Sequence, residues 1–118
     1  MATSATITVR LDSKTRLSIY SHWDGYPSHV GKILKQSYNT KEKALELVKM
    51  GDISILGNKL HPNENEPHSF DNRQYDVTVF YGRDRGEKNT EPVKLNNSER
   101  IERQEYNYYF NEGKWVII

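Results

Sequence analysis

Apolar and polar residues alternate cleanly from Ala5 to Leu11: Ala5, Ile7, Val9 and Leu11 fall on one side, Thr6, Thr8 and Arg10 on the other. A period of two with β-branched residues predicts a half-buried strand. After the polar connection Asp12-Ser13-Lys14, alternation resumes from Thr15 to Tyr20 with Leu17 and Ile19 inward, so the two segments predict an antiparallel hairpin. From Ser28, a reasonable N-cap, the period becomes helical, with Val30, Ile33, Leu34 and Tyr38 on one stripe. Asn39-Thr40 breaks this helix and caps a second, Lys41 to Met50, with Ala44, Leu45 and Val48 inward; Gly51 follows where a left-handed cap belongs. Ile53 to Leu56 is a short apolar run that predicts a strand or a buried extended segment.

Residues 57–74 break the pattern: asparagines, acids, two prolines and few apolar groups over eighteen residues predict a flexible insertion, either a mobile lid or plain disorder. Tyr75 to Tyr81 then reads as the strongest central strand, with Val77, Val79 and Tyr81 facing one way and Thr78 and Phe80 the other. A charged turn, Gly82-Arg83-Asp84-Arg85-Gly86, ends it. Pro92 to Leu95 predicts a short edge strand, Ser98 to Gln104 predicts no element, and Glu105–Phe110 with Trp115–Ile118 predicts a hairpin around Asn111-Glu112-Gly113-Lys114. The order ββαα(β)β(β)ββ predicts a single α+β domain over 1–118: an antiparallel sheet of about five to six strands with two helices on one face. The other face is then expected to carry Tyr20, His22 and an aromatic row drawn from Tyr106, Tyr108 and Phe110 or from Tyr109, which marks a partner or ligand surface.

Composition narrows the classes. At 118 residues there is material for one core. A formal charge of +1 argues against a nucleic-acid or membrane-surface role, where a basic excess is usual. The absence of cysteine removes disulfides and thiolate metal sites and fits a reducing compartment. No leader pattern and no apolar run of membrane-spanning length is present, so a soluble chain is expected.

Chemistry concentrates in one stretch, Tyr20-Ser21-His22-Trp23-Asp24-Gly25-Tyr26-Pro27-Ser28-His29. Asp-Gly is a turn former, and Pro27 pushes Tyr26 into extended backbone. Polar and aromatic groups crowded on such a loop commonly build a site. The run Tyr-x-His-Trp-Asp-Gly-Tyr-Pro, followed by Val30-Gly31-x-x-Leu34, resembles a group of small tailed-bacteriophage accessory proteins, over about Ile19 to Leu34. The resemblance implies an early-expressed, non-virion viral protein acting in the host cytoplasm. It carries over no catalytic residues.

Within the stretch, His22, Asp24 and His29 are types that a divalent ion accepts, but His-x-Asp-x4-His matches no closed metal motif, and neither a metal nor a cofactor is expected. The same trio could support general acid–base work, with Asp24 orienting a histidine, yet no activated serine or cysteine and no paired carboxylate motif accompanies it. Arg83 and Arg85 are candidate anion anchors flanked by glycines, set against the plainer reading of a solvated tip paired to Asp84 and Glu87.

The sequence therefore predicts binding rather than catalysis: a phage protein that inhibits a host antiviral defence component, by sequestering a nucleotide-type signal or by covering a host protein surface. Recognition is expected to centre on His22, Trp23, Asp24 and Tyr26, with Arg83 and Arg85 as anion anchors, in a homo-oligomer. The alternatives are a small nucleotide-directed hydrolase with His22 or His29 as base, and a structural or nucleic-acid-binding phage protein.

Overall fold

A computed structural model of the chain describes residues 3–96 and 98–118. The sequence expectation of an α+β fold holds. The strands are β1 (Ala5–Arg10), β2 (Thr15–Ser21), β3 (Ile53–Ile55), β4 (Val79–Phe80), β5 (Val93–Asn96), β6 (Tyr106–Asn111) and β7 (Lys114–Ile117). The helices are α1 (Lys32–Ser37), α2 (Lys41–Lys49) and α3 (Tyr81–Arg85). A wide π-helical turn, Pro27–Gly31, feeds directly into α1 with Pro27 in its first turn. Ser28 is therefore inside the helical segment rather than its cap. Thr40 caps α2 as expected, its Oγ1 accepting the Lys43 N–H at 3.2 Å.

The sheet runs β4-β3-β2-β1-β6-β7, with β5 pairing the other end of β2's outer edge. It is mixed, not purely antiparallel. β1 lies parallel to β6 with Ile7 opposite Tyr108, and β2 meets β3 in parallel at Ser21 and Ile53. β1 is central and buried on both faces. Ala5, Ile7 and Val9 are fully buried, in one core with Val30, Leu34 and Leu47 beneath the helices.

The second face meets expectation in part: Tyr20 and Tyr109 lie on it, opposite Thr6 and Thr8, but the Tyr108–Phe110 row does not. Tyr108 and Phe110 point to the helical side and are buried there, the Tyr108 hydroxyl donating to the Gly25 carbonyl at 2.7 Å. The centre of the opposite face is polar and internally bonded: Thr6 Oγ1 donates to Asn107 Oδ1 at 2.8 Å and Thr8 Oγ1 to Ser18 Oγ at 2.9 Å. Gln104 covers it, exchanging hydrogen bonds with Asn107 and accepting one from Ser4. Buried polar groups that bond one another add no adhesive surface.

The expected central strand over Tyr75–Tyr81 shrinks to β4 at the sheet edge. Asp76 takes φ +59°, Val77 forms an isolated bridge to Lys59, and Tyr81, expected to end the strand, instead opens α3, which stands in place of the expected charged turn. Residues 57–74, expected as a flexible insertion, form a loop gathered around Gln74. Its side chain donates to the Asn63 and Glu66 carbonyls, both at 2.9 Å, and its N–H donates to His68 Nδ1 at 3.0 Å.

Burial, with the neighbouring Tyr106 adding to the rise and the Gly31 backbone opposing it, pushes the Tyr108 phenol up to about 12. A pKa raised in the folded state contributes stability that is complete below the unfolded value near 10 and lost as pH climbs toward about 12. The denaturation midpoint is thus expected to fall across that window, and the fall to be smaller in Tyr108→Phe. Equal slopes for the two proteins would contradict this.

Candidate functional site

β2 hands its pairing to β3 beyond Ser21: the His22 N–H donates to Ile53 O at 3.0 Å and the Trp23 N–H to Ser54 O at 2.9 Å. The turn that follows is made by Asp24, at φ +55°, not by its glycine. Gly25 serves a different need. Its N–H donates to Thr3 O at 2.7 Å, and a Cβ there would lie 2.8 Å from both Ala5 Cβ and Thr3 O. Tyr26 is extended as expected before Pro27. The loop is thereby pressed onto the start of β1, leaving Trp23 43% and Tyr26 38% exposed at the rim.

The histidines separate into two unconnected pairs. His22 Nδ1 shares a hydrogen bond with the Tyr20 hydroxyl at 2.7 Å, and its ring meets Trp23 edge-on at 4.8 Å. His29 Nδ1 donates to the backbone carbonyl of Asp24 at 3.1 Å, which fixes its proton on Nδ1. That bond uses Asp24's main chain, not its carboxylate. Among the described residues no group of three or more His, Asp or Glu side chains could hold a metal ion.

The two arginines also part company. Arg83 is turned inward, so the expectation of an anion anchor there is corrected. Its Nε and Nη2 clasp the Asp84 carboxylate at 2.9 and 3.0 Å, while Nη1 and Nη2 donate to Leu60 O at 2.6 Å and Thr78 O at 2.8 Å. Asp84 also accepts the Phe80 N–H at 2.9 Å and lies 3.3 Å from His68 Nε2. Burial alone would raise the Asp84 carboxyl, but the Arg83 and Phe80 hydrogen bonds outweigh it and hold the group below its ordinary value. Arg85 stays outside, 5.0 Å from the Phe70 ring centre and 3.9 Å from Glu87.

Tyr20 and Asp52 line two adjoining hollows that together form a groove beside the motif loop. One, about 460 Å³, extends over Ser18, Val93 and Gln104; the other, about 470 Å³, over Tyr81, Arg85 and Glu87. Asp52 Oδ1 accepts the Tyr20 N–H at 2.9 Å, and the Asp52 carbonyl accepts the Tyr81 N–H at 3.2 Å. Desolvation raises the Asp52 carboxyl against the pull of that Tyr20 bond, and the charges of Glu87 and Glu91 raise it further. Burial, then Tyr81 and Asp52, raises the Tyr20 phenol, so the hydroxyl that meets His22 is held protonated rather than activated as a nucleophile. Phe70, from the 57–74 loop, packs on Tyr81 with ring centres 5.5 Å apart and so supports one of the groove's aromatic walls from behind.

Asp52 and Tyr81 did not stand out in the sequence. The signal for Asp52 was its place between a helix-ending glycine and an apolar run, which sets an acid at a strand mouth; nothing local marks Tyr81. No known protein family, characterised protein or solved structure matches the chain.

Proposed function

We propose that the chain is a non-catalytic phage accessory protein that inhibits a host antiviral defence component by covering a protein surface in the host cytoplasm. The viral setting rests on the resemblance of the Tyr20–Pro27 stretch. The mode of action rests on one observation: an acidic carboxylate, Asp52, set in a groove between the Tyr20 and Tyr81 phenols with Glu87 close by. A lysine or arginine side chain from a partner suits that chemistry, since cations favour both carboxylates and aromatic faces. Trp23, which meets the ring of His22 beside Tyr20, and Tyr26 on the same loop add exposed aromatic area, and aromatic residues commonly dominate binding. A nucleotide's phosphates suit it less: Arg83 is occupied internally, and Arg85, the arginine that does line the groove, stands there beside Glu87 and the Asp52 carboxylate. No described helix is long and apolar enough to cross a membrane.

β7 is an edge strand with Ile117 55% exposed beside Val116 and Ile118, and pairing of this edge with a second copy would give the expected homo-oligomer. Native mass spectrometry of the purified protein tests both points in one spectrum. The expected result is a multiple of the chain mass with no small-molecule adduct. A nucleotide-sized adduct released on denaturation would overturn the protein-surface reading, and a single-chain mass would overturn the oligomer.

A further inference from the structure

The β1–β2 hairpin sets two like charges directly opposite each other, Arg10 across from Arg16. Such a pair on one sheet face is destabilising unless something compensates it. Among the described residues no carboxylate does, since neither guanidinium takes part in an ion pair. Backbone carbonyls hold both instead. Arg10 donates through Nε to Asp12 O at 3.2 Å and through Nη2 to Ser13 O at 3.4 Å. Arg16 Nη2 donates to Asn96 O at 2.6 Å and also to Glu99 O. The nearby Glu99 carboxylate accepts the Asn96 N–H at 3.1 Å. Carbonyls orient a guanidinium without neutralising it, so the two forks are fixed in place with their charge uncompensated.

A second observation is independent of the first. Arg16 Nε is sealed from solvent and has no hydrogen-bond partner among the described residues. A buried charged donor left unpaired is costly, so the Arg16 fork is short of an acceptor; Nε itself is closed to solvent and Nη2 is taken by carbonyls, so an incoming group reaches the fork through Nη1. Arg10 and Arg16 line one cavity of about 230 Å³ together with Tyr109, Ile101 and Ile118. Tyr109 stands on β6 opposite Thr8, two residues along β1 from Arg10 and on the same face. Tyr109 brings a phenol to the wall of the hollow, which Ile101 and Ile118 complete.

We propose that this cavity is an oxyanion site, in which a phosphate or carboxylate group bridges Arg10 and Arg16 with the Tyr109 hydroxyl as a further donor. Guanidinium forks fit both groups bidentately. The volume is below that of pockets for drug-sized ligands, so the occupant is a small oxyanion or the oxyanionic head of a larger molecule. The site is lined by none of the residues of the Tyr20–Asp52 groove, and the proposal stands whether or not that groove binds a protein.

The test is NMR titration of the arginine Nε–Hε signals with inorganic phosphate, with acetate, and with chloride at matched ionic strength. Phosphate or acetate is expected to shift the Arg16 signal saturably while chloride does not. The tighter of the two assigns the ligand class. In Arg10→Gln the midpoint is expected to weaken about tenfold, the loss of one charge-assisted contact. Tyr109→Phe, which keeps the ring, is expected to weaken it about threefold, the loss of a neutral hydrogen bond. A shift reproduced by chloride, or an unchanged midpoint in Arg10→Gln, would overturn the site.

Discussion

Replacing Asp84 with asparagine is expected to lower stability by about 3 kcal/mol, the low end for breaking a buried ion pair because Arg83 is partly exposed. Asparagine keeps the shape and one acceptor but leaves the Arg83 guanidinium without its counter-charge. The effect should spread. Arg83 also holds Leu60 O and Thr78 O, and His68 leans on the same carboxylate, so one side chain ties α3, β4 and the 57–74 loop together. The pH dependence has a definite sign. Folding holds the Asp84 carboxyl below its ordinary value, so its contribution is complete at neutral pH and disappears as pH falls through the folded value. Urea midpoints measured down the acid limb should fall more steeply in the native protein than in Asp84→Asn. Parallel limbs and a shift below about 0.5 kcal/mol, the range of an ordinary surface substitution, would show that the clasp contributes nothing.

Gly25→Ala is expected to cost about 2–4 kcal/mol, combining overpacking with a strained buried hydrogen bond. The new methyl group would meet Ala5 Cβ and Thr3 O, both at 2.8 Å, and Ser4 C at 3.0 Å. Two of these three are backbone atoms and cannot rotate away. The start of β1 must move, which disturbs the Gly25 N–H to Thr3 bond and the Tyr108 bond to the Gly25 carbonyl. Gly113→Ala is the contrast. That glycine, at φ +79° in the β6–β7 turn, has open space around it, so the strain is conformational alone and costs about 1 kcal/mol. Chemical denaturation of the two variants should separate them clearly. Equal losses would mean that the motif glycine is required for backbone freedom rather than for close approach.

What was legible in the sequence was local. The β1–β2 and β6–β7 hairpins, the Thr40 cap and the helical stripe from Val30 to Leu34 each depend on residues a few positions apart, and each stands where the pattern put it. Pairing between distant segments was not legible: nothing local tells Ile7 that its neighbour is Tyr108. Alternation in Tyr106, Tyr108 and Phe110 defines two faces without saying which one meets the helices. Over Tyr75–Tyr81 the apolar residues do report burial, since Val77 to Phe80 are all buried, but burial is not a ladder. The arginines show the same limit. Two residues along a helix differ by about 200°, so once 81–85 is helical, Arg83 and Arg85 must face opposite ways. As a turn they read as a matched pair. In the motif, the positive φ fell to Asp24, a residue type that tolerates it, and freed Gly25 for contact with β1.

We propose that the protein grips a host partner through the groove over Tyr20 and Asp52 and the exposed Trp23 on the neighbouring loop. The decisive measurement is the affinity of a host protein, purified after capture on the native chain, for three folded variants. Trp23→Ala should weaken it about 30-fold, as loss of a hot-spot aromatic does. Asp52→Asn, which keeps an acceptor for the Tyr20 N–H, should weaken it about tenfold by removing the charge alone. Tyr75→Ser, at a residue 88% exposed and outside the groove, should leave it unchanged. Affinity retained by both the Trp23 and the Asp52 variants, or lost only in Tyr75→Ser, would place recognition elsewhere.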